Sequence, residues 1–161
     1  MFPYYRYKKT TLIFVLVLII SIFFCFMIIS FITCKPTDEV KKVVTEFYTL
    51  EQQGMYSSSW MLFHPIMQEK FKKPHYIQDR AHVFMNHFGV ETFSFTIEEP
   101  EKLETWKITS DSPTFEDVYK VKVTQTYESK YGNLQILQDV IVIQEEDQWK
   151  IAWDYQFHHK E

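Results

Sequence analysis

From Leu12 to Ile32 the chain reads LIFVLVLIISIFFCFMIISFI, uncharged, with only Ser21 and Ser30 as polar interruptions. A helix over this run is about 31 Å long at about 1.5 Å per residue, which matches a hydrocarbon core of about 30 Å. The pattern therefore predicts a transmembrane helix over residues 10–33. A short linker, 34–37, follows, and the apolar positions then thin out to helical spacing. Pro36-Thr37-Asp38-Glu39 reads as a helix start, with Thr37 as N-cap and the two acids favoured by the helix dipole. Val40, Val43, Val44, Phe47 and Leu50 recur every three or four residues, and Gly54 is placed to stop the helix. Ser57–Ser59 can cap a second helix through Trp60–Phe63, restarted at Pro65 before Met67 and Phe71. A third is expected from Pro74 to Phe88, with Ile77, Ala81, Phe84 and Phe88 on its apolar face and Gly89 as its stop.

Past Gly89 the period falls to two, the spacing of a strand with one covered face. Phe93, Phe95 and Ile97 alternate with Thr92, Ser94 and Thr96, and the alternation weakens around Trp106 and Ile108. Tyr119, Val121, Val123 and Tyr127 alternate with Lys120, Lys122, Thr124 and Thr126. Leu134–Ile143 is apolar on both faces, as in a strand covered on both sides. Trp149, Ile151, Trp153 and Tyr155 alternate again. Tyr131-Gly132-Asn133 and Glu145–Gln148 are short enough for consecutive hairpins. The predicted class is α+β: three helices, then a four- or five-strand antiparallel meander covered by helices on one face. The folded domain is expected over 38–157, with a tail at 158–161.

Charge assigns a direction to the apolar run. Arg6, Lys8 and Lys9 precede it, so residues 1–9 form a basic N-terminus expected in the cytoplasm and the domain is expected on the outer side. The run is longer than a signal-peptide core, and Phe31-Ile32-Thr33 is a poor cleavage context. Cys34 nonetheless makes a lipid-anchor candidate. The only other cysteine, Cys25, lies inside the run, so the domain has no disulfide framework and no thiolate metal site. No acid precedes Asp38, so the whole-chain charge of −4 leaves −7 on the residues after the basic N-terminus. That excludes the basic footprint of a nucleic-acid binder.

The helices-then-sheet plan is similar to the NTF2-like cone fold. More narrowly, residues 78–155 resemble the N-terminal domain of MecA-type penicillin-binding proteins. The resemblance rests on Asp79-Arg80, Phe88-Gly89-Val90, Tyr119-Lys120-Val121-Lys122 and Tyr131-Gly132-Asn133. Its most specific part is Glu146-Asp147 leading into Trp149-Lys150-Ile151-Ala152-Trp153-Asp154. It implies a Gram-positive bacterial source and a membrane anchor ahead of the domain. It also implies that the matching positions, Arg80, Tyr131, Gly132, Asn133, Trp149, Trp153 and Asp154, are structural. In that family the chemistry belongs to a separate transpeptidase domain with Ser-x-x-Lys and Lys-Thr-Gly motifs. Neither motif occurs here, so the module carries over without the activity.

Some cone-fold proteins use Asp, His or Tyr in a pocket between sheet and helices, which makes six histidines worth testing. His75, Asp79, His82 and Asn86 would share one stripe of the third helix, and Asp79 with His82 could form an acid–base pair or a solvated polar face. No His-x-x-x-His spacing supports a metal, and no cofactor is implied. Gln138 and Asp139 interrupt the most apolar strand. A buried carboxylate without a partner costs several kcal/mol, so Asp139 either reaches solvent at an edge or lines a wet pocket. Arg80 is expected to brace helix to sheet through an ion pair. The resulting expectation is a non-enzymatic, membrane-tethered module in the cell envelope, scaffolding other envelope proteins or self-associating through the Leu134–Ile143 strand. The alternatives are a scaffold subunit of a conjugative secretion channel and a small-ligand-binding or enzymatic cone-pocket protein.

Overall fold

The computed structural model describes residues 4–32, 35–82, 92–109, 112–129 and 132–155. The chain divides into two compact units, Met1–Lys35 and Pro36–Glu161. The first contains one helix, α1 (Tyr4–Ile32). Among the described residues no helix is long and apolar enough to cross a membrane. The transmembrane helix, the single-pass topology, the membrane as partner, and the cytoplasmic and extracytoplasmic placements are therefore not supported. Cys34 lies outside the described residues, and Cys25 is exposed.

The second unit is α+β, with its helices ahead of its sheet. Helix α2 (Pro36–Gln52) begins one residue before the expected cap, so Thr37 sits in its first turn. Proline suits that position because its missing N–H would have no intrahelical partner. Val40, Val43, Val44, Phe47, Tyr48 and Glu51 form the buried stripe of α2. Gly54, at φ +71°, closes the helix. Its N–H donates to Glu51 O at 3.1 Å and that of Met55 to Leu50 O at 2.8 Å, the paired bonds of a Schellman end.

The second expected helix is broken into α3 (Tyr56–Ser59), a 3-10 turn (Trp60–Leu62) and α4 (Pro65–Lys70). Pro65 restarts it, and His64 is its cap: the imidazole accepts from Ile66 N–H at 3.3 Å. Helix α5 (Lys73–His82) follows. Its buried side chain is Tyr76, not the predicted Ile77–Ala81 face. Phe84, Asn86, Phe88, Gly89 and Val90 lie outside the described residues.

Among the described residues five strands make one antiparallel sheet: β1 (Ser94–Ile97), β2 (Glu101–Trp106), β3 (Phe115–Ser129), β4 (Gly132–Glu145) and β5 (Gln148–Ala152). β1 and β2 pair successive stretches of the same edge of β3, so they act as one strand interrupted at Pro100. β3 pairs β4 from Tyr119↔Val142 to Ser129↔Gly132, and β4 pairs β5 from Ile141↔Ala152 to Glu145↔Gln148. Gly132 and Asn133 are therefore strand residues, while Tyr131 lies outside the described residues. Glu146 and Asp147, both at positive φ, form the two-residue turn between β4 and β5.

Helices and sheet share one core. Phe47, Phe63, Tyr76 and Trp153 pack ring against ring, and Val121, Val123, Val140, Val142 and Ile151 are fully buried. Each such side chain contributes about 1.5–3 kcal/mol on leaving water. The expectation that Leu134–Ile143 is covered on both faces holds only from Val140 to Ile143. Leu134, Ile136 and Leu137 are exposed, in the part of β4 that runs beyond its pairing with β5.

The chain between the 3-10 turn and α4 is stitched to β5. His64 N–H donates to Ile151 O at 2.8 Å beside a Phe63↔Ile151 bridge, and His64 Nε2 lies 3.3 Å from a Glu145 carboxylate oxygen. Because Nδ1 accepts from Ile66, the neutral ring with its proton on Nε2 satisfies both contacts. Burial lowers the His64 pKa and outweighs the opposing pull of Glu145; Lys150 lowers it further, and Phe115 packs against the ring. The unfolded chain, with His64 near its usual 6.5, then binds the proton first. Stability is full above that value and is lost as pH falls through it toward the lower folded pKa. Urea unfolding at pH 7.5 and 5.5 should show this loss, and His64→Asn, which keeps a cap acceptor without titrating, should reduce it.

Candidate ligand-binding pocket

Glu51 ends the buried stripe of α2, four residues after Phe47, with its side chain inaccessible to solvent. A carboxylate there is costly unless every lone pair is engaged, and here each oxygen takes two partners. Oε1 accepts from Ser59 Oγ in α3 and from the Tyr76 hydroxyl in α5, the latter at 2.7 Å. Oε2 accepts from Arg80 Nε at 2.5 Å and also pairs with Arg80 Nη2. Burial works against the charged guanidinium, but the Glu51 carboxylate outweighs it and the Arg80 pKa is raised. Burial first and Glu51 second push the Tyr76 hydroxyl upward, so it stays a donor. The cluster joins α2, α3 and α5.

Against this cluster lies a pocket of about 230 Å³, lined by Phe47, Tyr48, Phe71, Tyr76, Asp79, Arg80, Gln138 and Trp153. It sits between helices and sheet: α2 and α5 supply three aromatic residues and the charges, Phe71 follows α4, β4 supplies Gln138, and Trp153 follows β5. The Tyr48 hydroxyl donates to Gln138 Oε1 at 2.8 Å, with its pKa raised by burial. Trp153 stands 6.1 Å from Phe47 and 6.2 Å from Phe71, centroid to centroid. The walls are thus aromatic, with polar groups on one side.

Of the sequence candidates, the structure brings Asp79 and Gln138 into this wall. Asp139 is exposed, at the position of β4 that pairs with Lys122. His82 is exposed and not among the lining residues. Arg80 pairs with Glu51, a helix residue, where a sheet partner was expected. Trp149 donates to Glu39 Oε2 at 2.9 Å, Trp153 is half-buried against Phe63, and Asp154 is exposed. Among the described residues no three His, Cys, Asp or Glu side chains converge as metal ligands would.

Sequence reasoning missed Glu51, Tyr48, Tyr76 and Ser59. One signal was available for Glu51, which falls on the apolar stripe at Val40, Val44 and Phe47 plus four. No family model matches the chain, and no curated protein is similar to it.

Removing one partner of this pair strands the other. Arg80→Met leaves Glu51 charged and enclosed, and should cost about 3 kcal/mol of unfolding free energy. The double variant Glu51→Gln/Arg80→Met should cost less than Arg80→Met alone. Urea denaturation of the two variants and the parent checks both statements, and a double variant no more stable than Arg80→Met would contradict the coupling.

Proposed function

We propose that the folded unit is a non-catalytic interaction module of NTF2-like plan that works by pairing with a second copy of itself. The observation that carries this reading is the free edge of β4. β5 pairs only Ile141–Glu145, so among the described residues no strand covers that edge from Gly132 to Val140. Along it Leu134 and Ile136 are more than a third exposed and Leu137 is 65 % exposed. Unpaired backbone donors and acceptors beside exposed apolar side chains form a template for strand addition.

Charge selects the occupant. Gly132–Gln138 contains no ionisable side chain in a unit that is otherwise strongly acidic. Two copies paired antiparallel across a two-fold axis near Ile136 would set neutral residues opposite neutral ones and join the two sheets. That stretch therefore adds no like-charge repulsion where two copies meet.

The non-catalytic part is supported by how the polar groups near the pocket are used. Glu51, Ser59, Tyr76 and Tyr48 are bound to one another or to Arg80 and Gln138, and the one carboxylate beside a hydroxyl in this cluster, Glu51 at Ser59, is already paired with Arg80 and Tyr76.

The full-length chain, held in mild detergent because the apolar side chains of α1 are exposed, should sediment with a mass that Leu137→Lys lowers. With Cys25 and Cys34 changed to serine, oxidation of single cysteines at Gln135, Ile136 and Leu137 should give a disulfide-linked pair from at least one position. An unchanged mass together with no linked pair would overturn the reading.

A further inference from the structure

The pocket at the Glu51–Arg80 pair has a net electrostatic character that its list of charges hides. Arg80 supplies the only cation among its lining residues, but that guanidinium is bound through Nε and Nη2 to Glu51 Oε2. The pair cancels. The Tyr76 hydroxyl donates to Glu51 and the Tyr48 hydroxyl to Gln138, so neither proton is left to meet an anion.

What remains is the Asp79 carboxylate, exposed at the pocket and without an ion-pair partner among the described residues. Lining the pocket with it are the rings of Phe47, Tyr48, Phe71, Tyr76 and Trp153, and an aromatic π-face attracts cations. An ordinary ammonium would give up strong hydration with only Asp79 and the Gln138 side-chain oxygen to replace it. A methylated ammonium is weakly hydrated and apolar at its surface, so it meets both requirements. The pocket is about 230 Å³, below the roughly 300 Å³ from which sites for drug-sized ligands begin, which limits the occupant to few atoms.

We infer that this pocket is a binding site for a small quaternary or methylated ammonium cation, held by the five rings with Asp79 as its counter-ion. The site is separate from the β4 edge and does not depend on self-pairing.

The test is calorimetric titration of the full-length chain in a maltoside detergent, with tryptophan fluorescence as a second readout through Trp153. The probes are choline, dimethylbutanol (its uncharged isostere) and pivalate, an anion of similar bulk. Choline should bind about tenfold more tightly than dimethylbutanol, the margin of cation–π contact with several partly desolvated rings. Pivalate should not bind. Asp79→Asn, at an exposed position, should weaken choline about three- to fivefold and leave dimethylbutanol unchanged. Equal binding of choline and dimethylbutanol, tighter binding of pivalate, no binding of choline, or an Asp79→Asn variant with unaltered choline affinity would each overturn the assignment.

Discussion

One buried carboxylate organises the helical layer. Glu51 sits where α2 meets the core, and a charged group in that position is tolerated only because two other elements bring it donors. Ser59 comes from α3, and Tyr76 and Arg80 come from one face of α5. Short helices such as α3 and α5, of four and ten residues, have little stability of their own. Their placement is set by the requirement that Glu51 be saturated. The remaining burial, led by Phe47, Phe63 and Trp153, then packs around a fixed frame. Among the described residues no buried side-chain nitrogen or oxygen is left without a partner.

The same constraint shapes the pocket. Arg80 must turn toward Glu51, which removes it as an anion receptor and leaves its neighbour Asp79 on the exposed side of α5. Residues adjacent in a helix point about 100° apart, so a helix that buries Arg80 beside Tyr76 necessarily presents Asp79 elsewhere. Structure and electrostatics are thus linked: the charge that stabilises the frame is spent there, and the charge available to a ligand is the opposite one.

Much of the fold was legible because it follows from period and punctuation. The stripe of α2, its stop at Gly54, the restart at Pro65, and the alternation of β3 all appear in the structure where residue spacing places them. Other features depend on neighbours that spacing does not reveal. The face of α5 was misjudged because Ile77 and Ala81 look like a core stripe, whereas Tyr76 and Arg80 are drawn inward by Glu51. Leu134, Ile136 and Leu137 look like a doubly covered strand, but cover depends on the length of β5, which ends at Ala152. The apolar run near the N-terminus predicts a membrane span, yet among the described residues no helix is long and apolar enough to cross a membrane. Of the pocket, Asp79 and Gln138 were named from sequence, and its aromatic walls were not, since a ring lining a cavity and a ring filling a core have the same spacing.

The long β3–β4 hairpin raises a question of cost. A strand that projects beyond its neighbour leaves backbone groups unpaired and apolar side chains wet, and natural sheets usually guard such edges with charge, proline or a bulge. Here the guard is partial. Asp139 is exposed just inside the free stretch and Glu128 lies across from Asn133, but the seven residues from Gly132 to Gln138 carry no charge. The unit carries net negative charge, and the neutral stretch adds nothing to the repulsion of a second copy. An edge without this role would be expected to carry the lysines that β3 places at 120 and 122, each paired across to an acid in the preceding strand or loop. The contrast between the two edges of one hairpin, one charged and covered, the other neutral and open, is what distinguishes a surface kept for pairing from one merely left uncovered.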